Sequence, residues 1–205
     1  MTATPTVFVI DDEEQARESV CALVRSIGVN ARAFASSEAF LEYYTDQPGC
    51  LVADYRMAGM NGLELQEALL QRGSRLPVII VTAYARTPLT VKAVQNGAIT
   101  LLDKPYDEDD LWQAIRKALQ QDEQQRQREK HHAETRAQLA KLNDKEKQVL
   151  DLIVAGKPNK AMAKQLGVSV RTIENRRRSV YSKLEVETVA ELVTLVLKAA
   201  DLPST

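Results

Sequence analysis

Val7-Phe8-Val9-Ile10-Asp11-Asp12 begins with four apolar residues and runs straight into two carboxylates. The same order, a short apolar run that stops at or next to a polar side chain, recurs at Leu51–Asp54, Val78–Thr82 and Leu101–Lys104. In an open α/β sheet the carboxyl ends of the strands meet in one crevice. The pattern therefore predicts a shared pocket that contains Asp11, Asp12, Asp54, Thr82 and Lys104.

Short apolar runs alternate with amphipathic segments from Thr6 to about Leu119, which is typical of β–α units around a parallel sheet. We predict strands near residues 6–10, 30–34, 50–53, 78–81 and 99–102. We predict helices near residues 14–27, 36–44, 62–72, 87–96 and from 108 onward. Either Ser36 or Ser37 can cap the second helix, and Asp107 can cap the fifth. These elements fit an α/β flavodoxin-like doubly wound domain.

The predicted pocket holds three carboxylates, Asp11, Asp12 and Asp54, which repel one another unless a cation lies among them. Oxygen-only ligands favour Mg²⁺ or a similar hard cation. A carboxylate is a poor nucleophile toward a phosphoryl group, and a divalent cation together with Lys104 would neutralise the charge on the transferring oxygens. Acidic residues at strand ends can also merely cap helices, which is the alternative interpretation of the pocket.

The fifth predicted helix has no evident end, because residues 109–141 contain neither Gly nor Pro. Its composition favours helix, and apolar residues return at Ala133, Ala137 and Leu139 after a strongly polar stretch. We therefore predict a long helical linker over residues 121–142, with a disordered tether as the alternative.

A short all-helical region follows from Asn143. Asn143 or Asp144 can cap a helix that Gly156 closes, and later helices are predicted over residues 159–166, 170–184 and 188–200. A short helix, a turn containing Gly167 and a longer basic helix predict a helix-turn-helix. This gives an all-α four-helix domain over residues 143–205.

Charge is divided unevenly along the chain, although the formal net charge is only −1. Residues 1–119 contain 11 Lys and Arg against 16 Asp and Glu, whereas residues 143–205 contain 11 against 8. An acidic part and a mildly basic part indicate different partners.

Targeting and redox signals are absent from the sequence. Cys21 and Cys50 lack CxxC spacing and lie in apolar stretches, so we expect reduced core thiols. The first residues lack a charged segment followed by an apolar one, and no run approaches the roughly 18 apolar residues of a membrane span. We expect a soluble protein of the cytoplasm with no membrane partner.

The segments FVIDDEE (residues 8–14), VADYRMAGMNG (52–62), VIIVTAY (78–84) and LLDKPYD (101–107) resemble, in this order and spacing, the receiver domain of two-component response regulators. The resemblance covers residues 1–120. It implies that Asp54 accepts a phosphoryl group from a phosphohistidine on a sensor histidine kinase, assisted by Lys104 and Thr82. It also implies a cis peptide bond before Pro105.

The same resemblance implies a bound Mg²⁺ or Mn²⁺. Asp12, Asp54 and the backbone carbonyl of Arg56 would bind the ion directly, and Asp11 would act through water.

Two residues of the receiver region depart from the family pattern. Ala58 stands where receivers usually have Pro, so the loop after Asp54 loses a constraint. Leu101 stands where receivers commonly have an aromatic residue that turns inward as the equivalent of Thr82 moves. We therefore expect Thr82 and Leu101 to be the residues that move on phosphorylation, with leucine in place of the usual aromatic residue. Arg56 and Tyr84 are expected to flank the pocket entrance.

Residues 142–186, LNDKEKQVLDLIVAGKPNKAMAKQLGVSVRTIENRRRSVYSKLEV, resemble the DNA-binding domain of the NarL/LuxR and FixJ group. Helical spacing places Ile173, Val180 and Leu184 toward the core. The resemblance implies that Glu174, Asn175 and Arg178 reach base edges in the major groove. Further contacts with DNA phosphates are expected from Arg171, Thr172, Arg177, Lys183, Asn159 and Lys160. Arg176 stands where the group often has His.

Together these features predict a response regulator transcription factor and not an enzyme with a separate substrate. Phosphorylation of Asp54 would promote a homodimer that binds double-stranded promoter DNA, with RNA polymerase as a further partner. One alternative is a DNA-binding protein that ignores phosphorylation and uses the receiver only to dimerise. A second is a Mg²⁺-dependent phosphohydrolase, which leaves the basic region unexplained.

Overall fold

A computed structural model of the protein describes residues 4–83, 93 and 95–200. Its strands are β1 (Thr6–Ile10), β2 (Asn30–Phe34), β3 (Gly49–Asp54), β4 (Val78–Thr82) and β5 (Thr100–Asp103). They form a parallel sheet in the order β2-β1-β3-β4-β5. The predicted strands are confirmed, and no bound differs by more than one residue.

Helices connect and follow these strands. The described ones are α1 (Glu14–Ser26), α2 (Ser37–Tyr43), α3 (Gly62–Gln71), α4 (Glu108–Ala140), α5 (Asp144–Val154), α6 (Asn159–Leu166), α7 (Val170–Leu184) and α8 (Val189–Ala200). The helix predicted near residues 87–96 lies largely outside the described residues. The doubly wound fold, the long helix and the helical C-terminal region are confirmed.

Side chains of the central strands alternate between two hydrophobic cores, as the two-residue period of a strand requires. Phe8 and Ile10 of β1 pack into one core, and Val7 and Val9 pack into the other. Cys21 and Cys50 are buried free thiols in the second core, where burial raises the pKa of both. Because helices cover both faces, these strands read as continuous apolar runs in the sequence.

The chain divides into two compact units, residues 1–126 and 127–205. The first residues of the predicted linker are bound to the first unit. Asp122 accepts hydrogen bonds from the N–H of Gly49 and from Arg126 Nε, each at 2.9 Å, and Arg126 also contacts Asp46. The finer division into residues 1–120, 121–142 and 143–205 stays a prediction.

The second unit has its own core, built on the faces of α5, α6 and α7 that carry the apolar residues. Val149, Met162, Ile173 and Val180 are fully buried there. Among the helices that the structure describes, none combines the length and apolar character that crossing a membrane requires.

Candidate functional site

Strand register brings the predicted polar residues to one edge of the sheet. Ile10 pairs with Ala53, so Asp11 and Asp54 follow on adjacent strands at the same level. Thr82 pairs with Asp103, so Lys104 lies one residue beyond Thr82. The register of β1, β3, β4 and β5 therefore places the ends of these strands side by side, which brings the predicted pocket residues together.

Lys104 joins the two most buried carboxylates of this pocket. Its Nζ lies 2.8 Å from Asp11 Oδ2 and 2.6 Å from Asp54 Oδ1. Asp11 is 5% exposed and Asp54 is 7% exposed, so water screens these contacts weakly. Partial burial acts against the charge of Lys104, but the hydrogen bonds that its ammonium donates to Asp11 and Asp54 outweigh this effect and raise the pKa of Lys104 to about 12. The ammonium is therefore charged throughout the neutral range.

The loop between β3 and α3 supplies backbone donors to the carboxylates. The N–H of Arg56 donates to Asp54 Oδ2 at 2.6 Å, and the N–H of Ala58 donates to Asp12 Oδ2 at 3.1 Å. Proline has no N–H, so the usual receiver residue at position 58 could not make the second bond. The departure at Ala58 thus removes a ring constraint and adds a contact with a predicted metal ligand.

The donor set of the pocket fits Mg²⁺. It offers carboxylate oxygens from Asp12 and Asp54, and Arg56 lies in the loop that both carboxylates contact. Across the described residues, no three acidic, His or Cys side chains form a preassembled metal cage. Mg²⁺ commonly binds through one or two carboxylates and keeps several waters, so it does not need such a cage.

The predicted switch residues lie on neighbouring strands. Thr82 is buried at the end of β4, and its carbonyl accepts a hydrogen bond from the N–H of Lys104 at 2.7 Å. Leu101 of β5 pairs with Ile80 of β4. Its partly buried side chain packs against the core that contains Phe8. The Lys104–Pro105 peptide bond is cis, as predicted. Tyr84 lies outside the described residues.

The helix-turn-helix places its polar and apolar residues on separate faces. Gly167 ends α6 in the left-handed conformation, with φ of +65°, and the Ser169 side chain caps α7. Ile173, Val180 and Leu184 are buried as the spacing predicts. The side chains exposed on α7 include Arg171, Glu174, Asn175 and Arg178.

Several residues expected to contact phosphates, among them Arg177, Asn159 and Lys183, are engaged within the second unit. Arg177 donates to Asn159 Oδ1 at 2.8 Å, which links α7 to α6. Lys183 Nζ lies 2.7 Å from Glu146 Oε2 and 3.3 Å from the carbonyl of Lys141. Their contacts with DNA remain predictions, and any such contact would have to share or replace these partners.

Glu146 is a buried residue that the sequence analysis missed. It lies in the first turn of α5, is 5% exposed, and forms a capping box with Asn143. It also accepts hydrogen bonds from Lys183 and from Ser179 Oγ. The bonds from Lys183 and Ser179 lower the pKa of Glu146 to about 2. The spacing Asn-x-x-Glu was a usable signal for the capping box, although not for the contacts with α7.

Comparisons with known families agree with this arrangement. Residues 7–116 match the family described as response regulator receiver domain. Residues 140–196 match the family described as bacterial regulatory proteins, luxR family. Both units therefore have a family match.

Relatives match this chain across both of its units. The chain is 37% identical over 196 residues to the transcriptional regulatory protein TdiR of Thauera aromatica, covering 95% of this chain and 86% of TdiR. It is 37% identical over 199 residues to the transcriptional regulatory protein FixJ of Azorhizobium caulinodans, covering 97% and 94% of the two chains.

Solved structures give the same result. The response regulator StyR matches with a TM-score of 0.89 and 40% identity, over 96% of this chain and 100% of StyR. Full-length FixJ from B. japonicum matches with a TM-score of 0.58 and 34% identity, over 98% and 100% of the two chains. The chain therefore belongs to the FixJ/LuxR family of response regulators, transcription factors that join a receiver domain to a LuxR-type helix-turn-helix.

Proposed function

We propose that a sensor histidine kinase phosphorylates Asp54, and that the phosphorylated protein dimerises and binds a specific promoter sequence. The observation that carries this proposal is the contact of Lys104 Nζ with both Asp11 and Asp54, at 2.8 and 2.6 Å. These contacts hold the ammonium group of Lys104 against Asp54, the proposed nucleophile, whose side chain is almost fully buried. The partners are the kinase, a second copy of the chain, double-stranded promoter DNA and RNA polymerase.

The proposed transfer needs a carboxylate nucleophile. A carboxylate oxygen of Asp54 forms a bond to phosphorus as the bond between phosphorus and the kinase histidine nitrogen breaks, and the histidine leaves as imidazole. Lys104 then stays beside the transferred oxygens, and the Thr82 hydroxyl donates to one of them. Bound at Asp12, Asp54 and the Arg56 carbonyl, with Asp11 acting through water, Mg²⁺ or Mn²⁺ would neutralise charge on the phosphoryl group.

The protein is a transcription regulator and not a classical enzyme. We infer that its receiver promotes only its own phosphorylation and the later hydrolysis of the acyl phosphate. Movement at Thr82 and Leu101 would change the surface through which two receivers pair. We also expect Leu89 and Lys92 to contribute to this surface, and both lie outside the described residues.

Phosphorylation by a small phosphodonor tests the input half of the proposal. The full chain, incubated with acetyl phosphate and Mg²⁺, should gain one phosphoryl group that alkali or hydroxylamine removes, as an acyl phosphate requires. A chain that gains no phosphate from acetyl phosphate, and none from phosphorylated histidine kinases, would contradict the proposal. Turnover of small phosphomonoesters would instead support the phosphohydrolase alternative.

The exposed face of α7 supports the output half. Glu174, Asn175 and Arg178 are all exposed, while Ile173 and Val180 on the same helix are buried. Arg pairs well with guanine and Asn with adenine in the major groove. We propose that these three residues contact bases and that Arg171, Thr172, Arg177, Lys183, Asn159 and Lys160 contact phosphates.

Replacing Arg178 by Ala should weaken binding to the preferred promoter sequence by about 1–3 kcal/mol and relax the preference at one base position, because a bidentate contact would be lost. Binding measured against a library of single-base variants checks both effects. The control is Arg116→Ala, which removes an exposed Arg from the first unit. A loss of equal size at every sequence would instead assign Arg178 to a phosphate.

A further inference from the structure

Two polar residues at the start of α2 contact the loop beside the phosphorylation pocket. Ser37 Oγ donates to the carbonyl of Met60 at 2.9 Å, and Glu38 Oε1 accepts from the N–H of the same residue at 3.0 Å. Side chains of α2 therefore bind both the N–H and the carbonyl of Met60, which lies in the loop between β3 and α3. Neither residue was singled out for this role by the sequence.

Neighbouring serines at the start of α2 have different partners. Ser36 caps its own helix by accepting a hydrogen bond from the N–H of Ala39. Ser37 is therefore not needed as the cap, and its fully buried hydroxyl is directed at Met60. Hydrogen bonds from its own N–H and from that of Met60 lower the pKa of Glu38, so its carboxylate is charged at neutral pH.

Gly59 allows Glu38 to approach the loop this closely. Gly59 has φ of +81°, and a Cβ at this position would lie 2.9 Å from Glu38 Oε1. Glycine accepts such a φ without the steric cost of other residues. The backbone of the loop thus passes directly beneath the Glu38 carboxylate.

Met60 is only two residues from Ala58, whose N–H contacts Asp12, and four from Arg56, whose N–H contacts Asp54. Two residues span at most about 7 Å, so fixing Met60 restricts where Ala58 can lie. The other end of the loop is fixed by the capping box of Asn61 and Glu64. No proline ring stiffens position 58 in this chain.

We propose that Ser37 and Glu38 are positioning residues of the phosphorylation pocket, which act by holding Met60 so that the loop presents Arg56 and Ala58 to Asp54 and Asp12. This clamp, defined as Ser37, Glu38 and Met60, does for the loop what a proline at position 58 does in other receivers. The inference rests on the proposed function, because the ion and the phosphoryl group are the species that the loop would serve.

The test compares variants of the full chain by their affinity for Mg²⁺ alone and by amide exchange in the loop. Glu38→Ala removes the acceptor, whereas Glu38→Gln removes the charge but keeps an oxygen that can accept from Met60. Ser37→Ala removes the donor. Glu42→Ala, on the exposed face of the same helix, is the matched control for loss of charge.

Glu38→Ala and Ser37→Ala should each speed exchange of the Met60 and Ala58 amides and weaken Mg²⁺ binding by about tenfold, the usual effect of removing a group that orients metal ligands. Glu38→Gln and Glu42→Ala should stay within about twofold of the unaltered protein. Thermal unfolding of each variant separates a positioning effect from a general loss of stability, since only the former changes Mg²⁺ affinity at an unchanged midpoint.

Two results would overturn the clamp. In one, Glu38→Ala exchanges Met60 faster but binds Mg²⁺ as tightly as Glu42→Ala does. In the other, Glu38→Gln loses as much affinity as Glu38→Ala, which would make the effect one of charge alone. If the unaltered protein itself fails to bind Mg²⁺, the proposed function fails, and the clamp fails with it. If the unaltered protein binds Mg²⁺ but the variants bind it equally well, only the clamp fails.

Discussion

Asp54→Asn should take up no acyl phosphate from acetyl phosphate or from a phosphorylated kinase. The substitution keeps the size of the side chain but replaces the carboxylate nucleophile with an amide, and an amide forms no acyl phosphate under these conditions. Intact-mass measurement or radiolabel after incubation with Mg²⁺ checks the result. Asp110→Asn, an exposed position early in α4, is the control and should be labelled normally.

Persistent labelling of Asp54→Asn at the level of the unaltered protein would contradict the assignment of Asp54. The same variant also separates the proposal from its alternative. A regulator that used the receiver only to dimerise would bind DNA equally well with Asp54 or Asn at this position. A regulator controlled by phosphorylation should lose its response to the phosphodonor entirely.

Glu146→Ala should lower the free energy of unfolding of the second unit by about 2 kcal/mol, because Ser179 and Lys183 lose their acceptor and α5 loses part of its cap. The substitution removes the contacts with Lys183 and Ser179 as well as half of the capping box with Asn143. Amide exchange within residues 143–192 checks the loss in the full chain, because it reports this unit separately. The control is Asp151→Ala, an exposed residue of the same helix.

The same network predicts how the stability of the second unit depends on pH. The pKa of Glu146 falls from 4.5 to about 2 on folding, so its contribution is complete above about pH 4.5 and is lost as the pH falls toward 2. Unfolding followed across this range should show the loss, and Glu146→Gln should flatten it. An equally steep loss in Glu146→Gln would assign the acid sensitivity to other carboxylates.

The sequence predicted the pocket well because its signal is local. Each of Asp11, Asp54, Thr82 and Lys104 follows or ends an apolar run, and the parallel sheet places the ends of neighbouring strands side by side. The buried face of α7 was predictable for the same kind of reason, since Ile173 and Val180 repeat at helical spacing.

Contacts between elements distant in sequence gave no such signal. Ser37 and Glu38 follow a capping serine and read as ordinary first-turn residues, yet they hold Met60, more than 20 positions away. Lys183 reads as a phosphate contact, and its partner Glu146 lies 37 positions earlier. Tertiary packing decides such pairs, and neither periodicity nor capping rules contain that information.

We expect the coupling between the pocket and DNA binding to depend on Leu101. It pairs with Ile80 on the strand that ends at Thr82, and its side chain packs against the core instead of offering an aromatic ring. We expect leucine to repack into space vacated near Thr82, which would preserve the switch. Phosphorylation of Asp54 and the movement of Leu101 are therefore separate steps, and the second is measured by its effect on dimerisation and DNA binding.

Beryllofluoride with Mg²⁺ mimics the phosphoryl group on Asp54 without turnover, so it shows whether occupation of Asp54 drives dimerisation and DNA binding. Sedimentation and binding to a promoter sequence selected from random DNA should be measured on the full chain, with Asp54→Asn as the control. The unaltered protein should shift from monomer to dimer and bind DNA at least about tenfold more tightly, and neither change should occur in Asp54→Asn. An unaltered protein that binds beryllofluoride but neither dimerises nor binds DNA more tightly would contradict it.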